Sequence, residues 1–309
     1  MGLRPLSIEF GDMGAYYGEF VLYRDNMRGL EDITGEVLIG YLSYFVSRFA
    51  DYKFFFLVVD IIYIIPCYLF SKKYCGGYWG FAFFMFVGSF SFWSYGTNGI
   101  RNGMATSIFI LALTFYNIRV LYYSLLLLAY NMHHSMMIPI AAIITSDLIK
   151  NPKFFFYIWL AAIPLSLFAG GAIQALLGSL VSDNRATDYL TKGNVNNDAF
   201  SSTGFRWDFV FYSGFAVFAG WYFIFKQKLN DRFYTVLWGA YMISNAFWIM
   251  VIKANFSNRF AYLSWFMMAA VIAYPIFRYK VWPEHARTAG LILFAYYGFT
   301  YFMYIQYNL

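Results

Sequence analysis

Long apolar runs dominate the chain, separated by short polar stretches. A helix that crosses a bilayer needs about 20 predominantly apolar residues, in a range of about 17–25. Runs of that kind cover 54–70, 78–95, 101–117, 154–172, 207–226, 233–252, 259–278 and 287–306. The stretch 119–146 is too long for one simple helix, and Asn131, His133 and His134 interrupt it. It predicts two short helices, 119–131 and 133–146, meeting at that polar break. Segment 36–50 (EVLIGYLSYFVSRFA) is shorter and carries Glu36 and Arg48, so an interfacial or re-entrant helix is expected. Residues 1–53 read as a polar or interfacial N-terminal segment. Within it, 1–35 are too polar for a cleavable signal peptide. The expected architecture is all-α and polytopic, with about ten membrane helices including short and broken ones. It forms a single integral membrane domain over residues 1–309.

Composition sharpens this picture. Apolar residues make up 61%, aromatic residues 24% and charged residues 12% of the 309 positions. Soluble domains carry about 25% charged residues, so a soluble globular enzyme is excluded. Two cysteines, Cys67 and Cys75, exclude a disulfide scaffold. The net charge of +6 is not a nucleic-acid signal, since the longest basic block is Lys72-Lys73. It reads instead as membrane orientation, with Lys and Arg held on the cytoplasmic side.

That rule gives a topology. Lys72, Lys73, Arg119, Lys150, Lys153, Lys226, Lys228, Arg232, Arg278, Lys280 and Arg287 go to the cytoplasm. Arg101, Arg185, Lys192, Arg206, Lys253 and Arg259 go to the other side, and the remaining basic residues lie in the N-terminal segment. The assignment requires 119–146 to cross twice, which sends the 133–134 break outside. The long loop 173–206 lands outside too. Its first part, Ile173–Val181, is apolar enough to lie on the membrane, and 182–206 is polar. Arg101, the His pair, the 182–206 loop, Arg206, Asp208, Asn258 and Arg259 then gather at the outer boundary. Residues scattered along the chain are expected to converge there.

The stretch Gly96-Thr-Asn-Gly-Ile-Arg101-Asn-Gly-Met-Ala-Thr-Ser107 is the most unusual. Gly99, Gly103 and Ser107 recur every four residues, a small-residue face that lets another helix approach closely. Asn98 and Arg101 share another face of the helix start. Free N–H groups, the helix dipole and an arginine make an anion site there. The structural alternative is a packed helix with a snorkelling arginine. His133-His134-Ser135 holds two of the three histidines of the chain. A histidine at a membrane surface serves as acid or base, or merely satisfies backbone groups freed by the break.

Phe205-Arg206-Trp207-Asp208 opens a span, and a carboxylate just inside a span is costly without a partner. Arg206 and Asp208 are two apart and do not share a helix face, so each is expected to face a different partner. Asn258-Arg259 opens another span near Lys253. Asp60 stands inside FFFLVVDIIYII, where a charged Asp costs about 2.5–3.5 kcal/mol. A structural hydrogen bond is the expected reason for it. Asp12, Tyr16 and Tyr17 lie in the polar N-terminal segment.

The sequence has no Asp-x-Asp pair, no phosphate-binding Gly-rich loop with Lys and no zinc spacing. Nucleotides are scarce on the outer face, so a donor used there is expected to be lipid-linked and independent of ATP.

Thr97-Asn-Gly-Ile-Arg-Asn-Gly-Met-Ala105, followed by Ala129 and His133-x-Ser135, resembles the EpsG-type Wzy polymerases of bacterial surface polysaccharides. Gly11-Asp12…Tyr16, Phe205-Arg-Trp-Asp208 and Asn258-Arg259 match the looser part of that pattern. Family members usually carry a transmembrane helix ahead of the Gly-x-Asp region, whereas here Gly11-Asp12 stands near the start of the sequence. The resemblance covers most of the chain. It implies a multi-pass protein of the bacterial inner membrane, related in architecture to the GT-C-like membrane glycosyltransferases. Donor and acceptor would both be undecaprenyl-diphosphate oligosaccharides, with a flippase and a chain-length regulator as protein partners and no nucleic acid.

The residues suit that chemistry. Arg101, Arg206 and Arg259 would bind the lipid diphosphate and neutralise charge as the glycosidic bond breaks, with no metal and no cofactor. The planar guanidinium fork matches phosphate oxygens better than an ammonium does. His133, His134, Asp208 or Asp12 would deprotonate the acceptor hydroxyl. Asn98, Asn258 and Tyr16 would bind substrate. A lipid-linked oligosaccharide flippase with Asp60 as coupling carboxylate is a second possibility, and a membrane O-acyltransferase a third. The mostly apolar centres of the spans count against the flippase.

Overall fold

A computed structural model of the chain describes residues 2–7, 10–35, 37–180, 204–254 and 257–308. Among these residues every regular element is helical. The α-helices are α1 (Met13–Arg24), α2 (Val37–Ser47), α3 (Tyr52–Cys75), α4 (Trp79–Val87), α5 (Phe90–Thr97), α6 (Ile100–Thr114) and α7 (Arg119–Met132). They continue with α8 (Met137–Leu148), α9 (Pro152–Leu180), α10 (Trp207–Trp221), α11 (Arg232–Met250), α12 (Ser257–Arg278) and α13 (His285–Asn308). A π-turn, Tyr222–Lys226, prolongs α10.

Among the described residues, five helical stretches are long and apolar enough to cross a membrane: Tyr52–Val87, Pro152–Leu176, Trp207–Lys226, Ser257–Arg278 and His285–Gln306. Shorter apolar helices cover Val37–Ser47, Ile100–Thr114 and His134–Leu148. Large apolar side chains stand bare on these helices, Phe168 at 90% and Phe294 at 79% exposure. Surfaces of that kind belong in lipid, and the chain is a helical membrane protein.

The expected break in 119–146 is present. α7 stops at Met132, a 3-10 turn covers His134–Met136, and α8 begins at Met137. Two expectations need correction. The run 78–95 is not one span: α4 ends at Val87 with Gly88 as its cap, and Ser89 turns extended before α5. The Ser89 hydroxyl donates to the Phe86 carbonyl at 2.8 Å, and the Trp93 indole donates to the Val87 carbonyl at 2.9 Å, so side chains satisfy the backbone where the ladder breaks. The run 173–180 does not leave the helix, because α9 continues to Leu180. No proline after Pro164 interrupts it.

The chain divides into two compact units, Met1–Met137 with Ile276–Leu309, and Ile138–Pro275. In the first, α3 and α6 run parallel. Ser107 donates to the Tyr63 carbonyl and Tyr74 to the Leu113 carbonyl, so both chains advance together. α7 runs back against α6, bringing Ser135 to Asn102 at the start of α6. Lys72, Lys73 and Arg119 therefore share the end opposite Arg101. Lys73 donates to the Thr114 carbonyl there.

In the second unit, α9, α10, α11 and α12 are tied by a buried polar cluster. The Asn245 carbonyl accepts from the Trp159 indole at 2.7 Å, and its amide donates to Ser213 at 3.0 Å and Ser264 at 2.9 Å. The Trp265 indole donates to the Ser213 hydroxyl at 2.8 Å. Interhelical hydrogen bonds of this kind fix helices in lipid, where no hydrophobic drive holds them. α10 and α12 both run antiparallel to α11. Phe223 meets Tyr234 at one end while Phe209 meets Trp248 at the other, and Tyr274 meets Tyr234. The first turns of α10 and α12 thus lie together at the C-terminal end of α11.

Candidate active site at the start of α6

In the first unit, polar groups from several segments meet around the beginning of α6. Gly99 caps the helix and Arg101 occupies its second position, half-exposed. Gly103 is required by packing, because a Cβ there would sit 2.8 Å from the Tyr95 carbonyl oxygen. The expected small-residue face therefore admits two neighbours: the backbone of α5 at Gly103 and α3 at Ser107.

The N-terminal segment closes over this end. Arg4 donates to the Gly96 carbonyl at 3.3 Å and to the Thr97 carbonyl at 2.7 Å. Burial pulls the Arg4 guanidinium below its ordinary pKa, and the Asp60 carboxylate pulls it the other way. Asp60 also takes a hydrogen bond from the Gly2 amide. The acid inside the apolar run thus has the structural hydrogen bond expected of it. Gly2 is small by necessity, since a Cβ would meet the Leu57 Cα at 2.7 Å.

Further along, the chain turns at Gly11 with φ +52°, a conformation that favours glycine. A Cβ at Gly11 would lie 2.4 Å from Asn98 Oδ1. That oxygen accepts the Asp12 backbone N–H at 2.9 Å. Asp12 precedes α1 but does not cap it with its side chain, and its carboxylate is exposed. Tyr16 lies one turn on, its amide bonded to the Asp12 carbonyl at 3.2 Å.

The 133–135 turn forms another wall. The Ser135 backbone N–H donates to His133 Nδ1 at 3.2 Å. The Ser135 hydroxyl lies 2.7 Å from the same nitrogen and 3.2 Å from Asn102 Oδ1. His134 is exposed, with its ring 5.1 Å from that of Tyr130. Asp12, Tyr16, Asn98, Arg101, His133 and His134 therefore all belong to one unit. Direct contacts tie Asp12 to Asn98 and His133, through Ser135, to Asn102.

The second unit carries Arg206, Asp208, Asn258 and Arg259, all at the end where α10 and α12 begin. Here one expectation is wrong. Arg206 and Asp208 do not face different partners but form a two-pronged pair, Nε to Oδ1 at 2.9 Å and Nη2 to Oδ2 at 2.6 Å. The helix-face argument fails because Arg206 precedes the helix, with ψ 78°, so the i, i+2 spacing on a helix surface does not apply. The guanidinium also lies 3.6 Å over the Phe209 ring. Asn258 and Arg259 are exposed in the first turn of α12. The 182–203 part of the polar loop lies outside the described residues.

Sequence reasoning missed Arg4 and Asn102. Arg4 is one polar residue in a polar stretch and carries no pattern of its own. Asn102 sits inside the quoted motif, but only the return of α7 shows what it bonds.

A family model matches residues 5–309, and the chain belongs to the EpsG family. That membership supports a polysaccharide polymerase of glycosyltransferase type. No curated protein and no solved structure matches the chain.

Proposed function

We propose that this protein lengthens a surface polysaccharide of the O-antigen or lipopolysaccharide type. It transfers a growing glycan from undecaprenyl diphosphate onto a lipid-linked repeat unit at the periplasmic face of the bacterial inner membrane. The observation that carries the reading is the convergence of Asp12, Asn98, Arg101 and the His133–Ser135 turn at one helix start, in a chain of the EpsG family.

The reaction is a single displacement. The acceptor hydroxyl loses its proton to a base at this end, and its oxygen attacks the anomeric carbon of the donor. The bond to the diphosphate oxygen breaks, and its electron pair leaves with the lipid diphosphate. The α6 N–H groups and Arg101 meet the growing negative charge. Such contacts raise the rate only where they strengthen in the transition state. Within the second unit, Arg206 and Arg259 are separate candidates for binding phosphate, and Asn258 for sugar hydroxyls. A flippase and a chain-length regulator are the expected protein partners.

Purified protein given lipid-linked repeat units should build a ladder of products in EDTA, without nucleotide. Arg101→Ala at equal expression should leave single repeat units. Full-length polymer from that variant would overturn the mechanism, and unchanged but relocated substrate from the wild type would show a flippase instead.

A further inference from the structure

His133 is the obvious proton acceptor by residue type, but the geometry assigns it another role. A backbone amide carries its hydrogen in a fixed direction, unlike a hydroxyl. The Ser135 amide aims its hydrogen at His133 Nδ1. Nδ1 must therefore be the bare nitrogen, and the neutral ring carries its proton on Nε2. The Ser135 hydroxyl has one hydrogen and two acceptors in reach, Nδ1 at 2.7 Å and Asn102 Oδ1 at 3.2 Å; turned toward the nearer, it gives the same nitrogen a second donor. A histidine that takes a proton on Nε2 must start with its proton on Nδ1 and end charged, with hydrogens on both nitrogens. Either form would set an Nδ1–H against the Ser135 N–H.

The carboxylates at the polar ends are not equivalent. Both oxygens of Asp208 are taken by Arg206. Asp12 is different: its carboxylate does not cap α1, and among the described residues no donor reaches it. Its main chain is nevertheless fixed, by the left-handed turn at Gly11 and by Asn98 on the amide. That combination, a held backbone with open carboxylate oxygens beside the start of α6, is what a general base needs.

We propose that His133 is a hydrogen-bond donor held in its Nε2–H form by the Ser135–Asn102 turn, and that Asp12, placed by Gly11 and Asn98, accepts the proton. This rests on the polymerase reading and deepens it. In the transfer step the acceptor hydroxyl's proton passes to an Asp12 carboxylate oxygen. The hydroxyl oxygen bonds the anomeric carbon, and the diphosphate departs with the electron pair. His133 Nε2–H donates throughout to an oxygen of the substrate and neither gains nor loses a proton. Ser135 and Asn102 are positioning residues.

The test compares side chains that keep a donor with those that do not. Glutamine presents an amide N–H near the place of Nε2, and it cannot act as a base. Elongation of lipid-linked repeat units by purified His133→Gln should stay within about tenfold of wild type. His133→Ala should lose about a hundredfold, the usual cost of removing one transition-state donor. Asp12→Asn should lose at least about a hundredfold, as for a missing general base. Equal loss in His133→Gln and His133→Ala, with both variants folded by size-exclusion profile, would overturn the donor role. An active Asp12→Asn would overturn the base assignment. A wild-type protein that makes no polymer from these substrates would defeat the polymerase reading itself.

Discussion

Gly11→Ala perturbs the candidate site at a point where the structure fixes the size of the effect. An L-residue held in the left-handed region costs about 1–2 kcal/mol. The new Cβ also falls 2.4 Å from Asn98 Oδ1 and 2.7 Å from its Cγ, so that side chain must swing away. The Asp12 amide then loses its acceptor, an exposed hydrogen bond of about 1 kcal/mol. The sum is about 2–3 kcal/mol, which lowers elongation by about 30- to 150-fold if Asp12 is misplaced in proportion. Asn98→Ala alone removes only the hydrogen bond, for about a fivefold loss. In the double variant the clash has no partner and the bond is already gone. It should therefore be no slower than Gly11→Ala alone. The assay is the rate of ladder growth per folded protein, with folding read by size-exclusion in detergent. A double variant whose loss equals the product of the two singles would show that Gly11 and Asn98 do not act through one contact.

Asp208→Asn should cut elongation by less than about tenfold, because the carboxylate holds Arg206 in a partly exposed pair worth about 1 kcal/mol; a loss as deep as that of Asp12→Asn would make Asp208 the base. Asn245→Ala should lower the stability of the second unit by about 2 kcal/mol, since three interhelical bonds average about 0.6 kcal/mol each in membranes. Its melting temperature in detergent should drop, and an unchanged one would mean the cluster is energetically idle. Gly103→Val should destabilise by about 1–3 kcal/mol through overpacking against the Tyr95 carbonyl. Wild-type melting of that variant would deny the close approach of α5 to α6.

Much of the fold was legible in the hydrophobic pattern, because a bilayer imposes helix wherever the chain is apolar for long enough. The 119–146 break was readable for the same reason, since Asn131 and two histidines cannot lie in one uninterrupted span. The division of 78–95 was not readable. Gly88 and Ser89 are ordinary in a membrane helix, and the break depends on hydroxyl and indole donors that reach the local carbonyls only once the turn exists. The candidate site divides in the same way. Residue type and helix position pointed to Asn98, Arg101 and His133. The spacing rule failed for Arg206 and Asp208 because it assumes helical dihedrals that Arg206 does not have.

By itself the sequence determined a helical membrane protein and the polar residues that interrupt or begin its apolar runs. These follow from local composition, which the solvent sorts residue by residue. The tertiary structure decided which side chains touch: Asn98 on Asp12, Ser135 on His133 and Asn102, Asp208 on Arg206. Those partnerships join residues distant in sequence, or turns outside any regular period. They fix where protons reside, and no pattern along a single strand of letters records that.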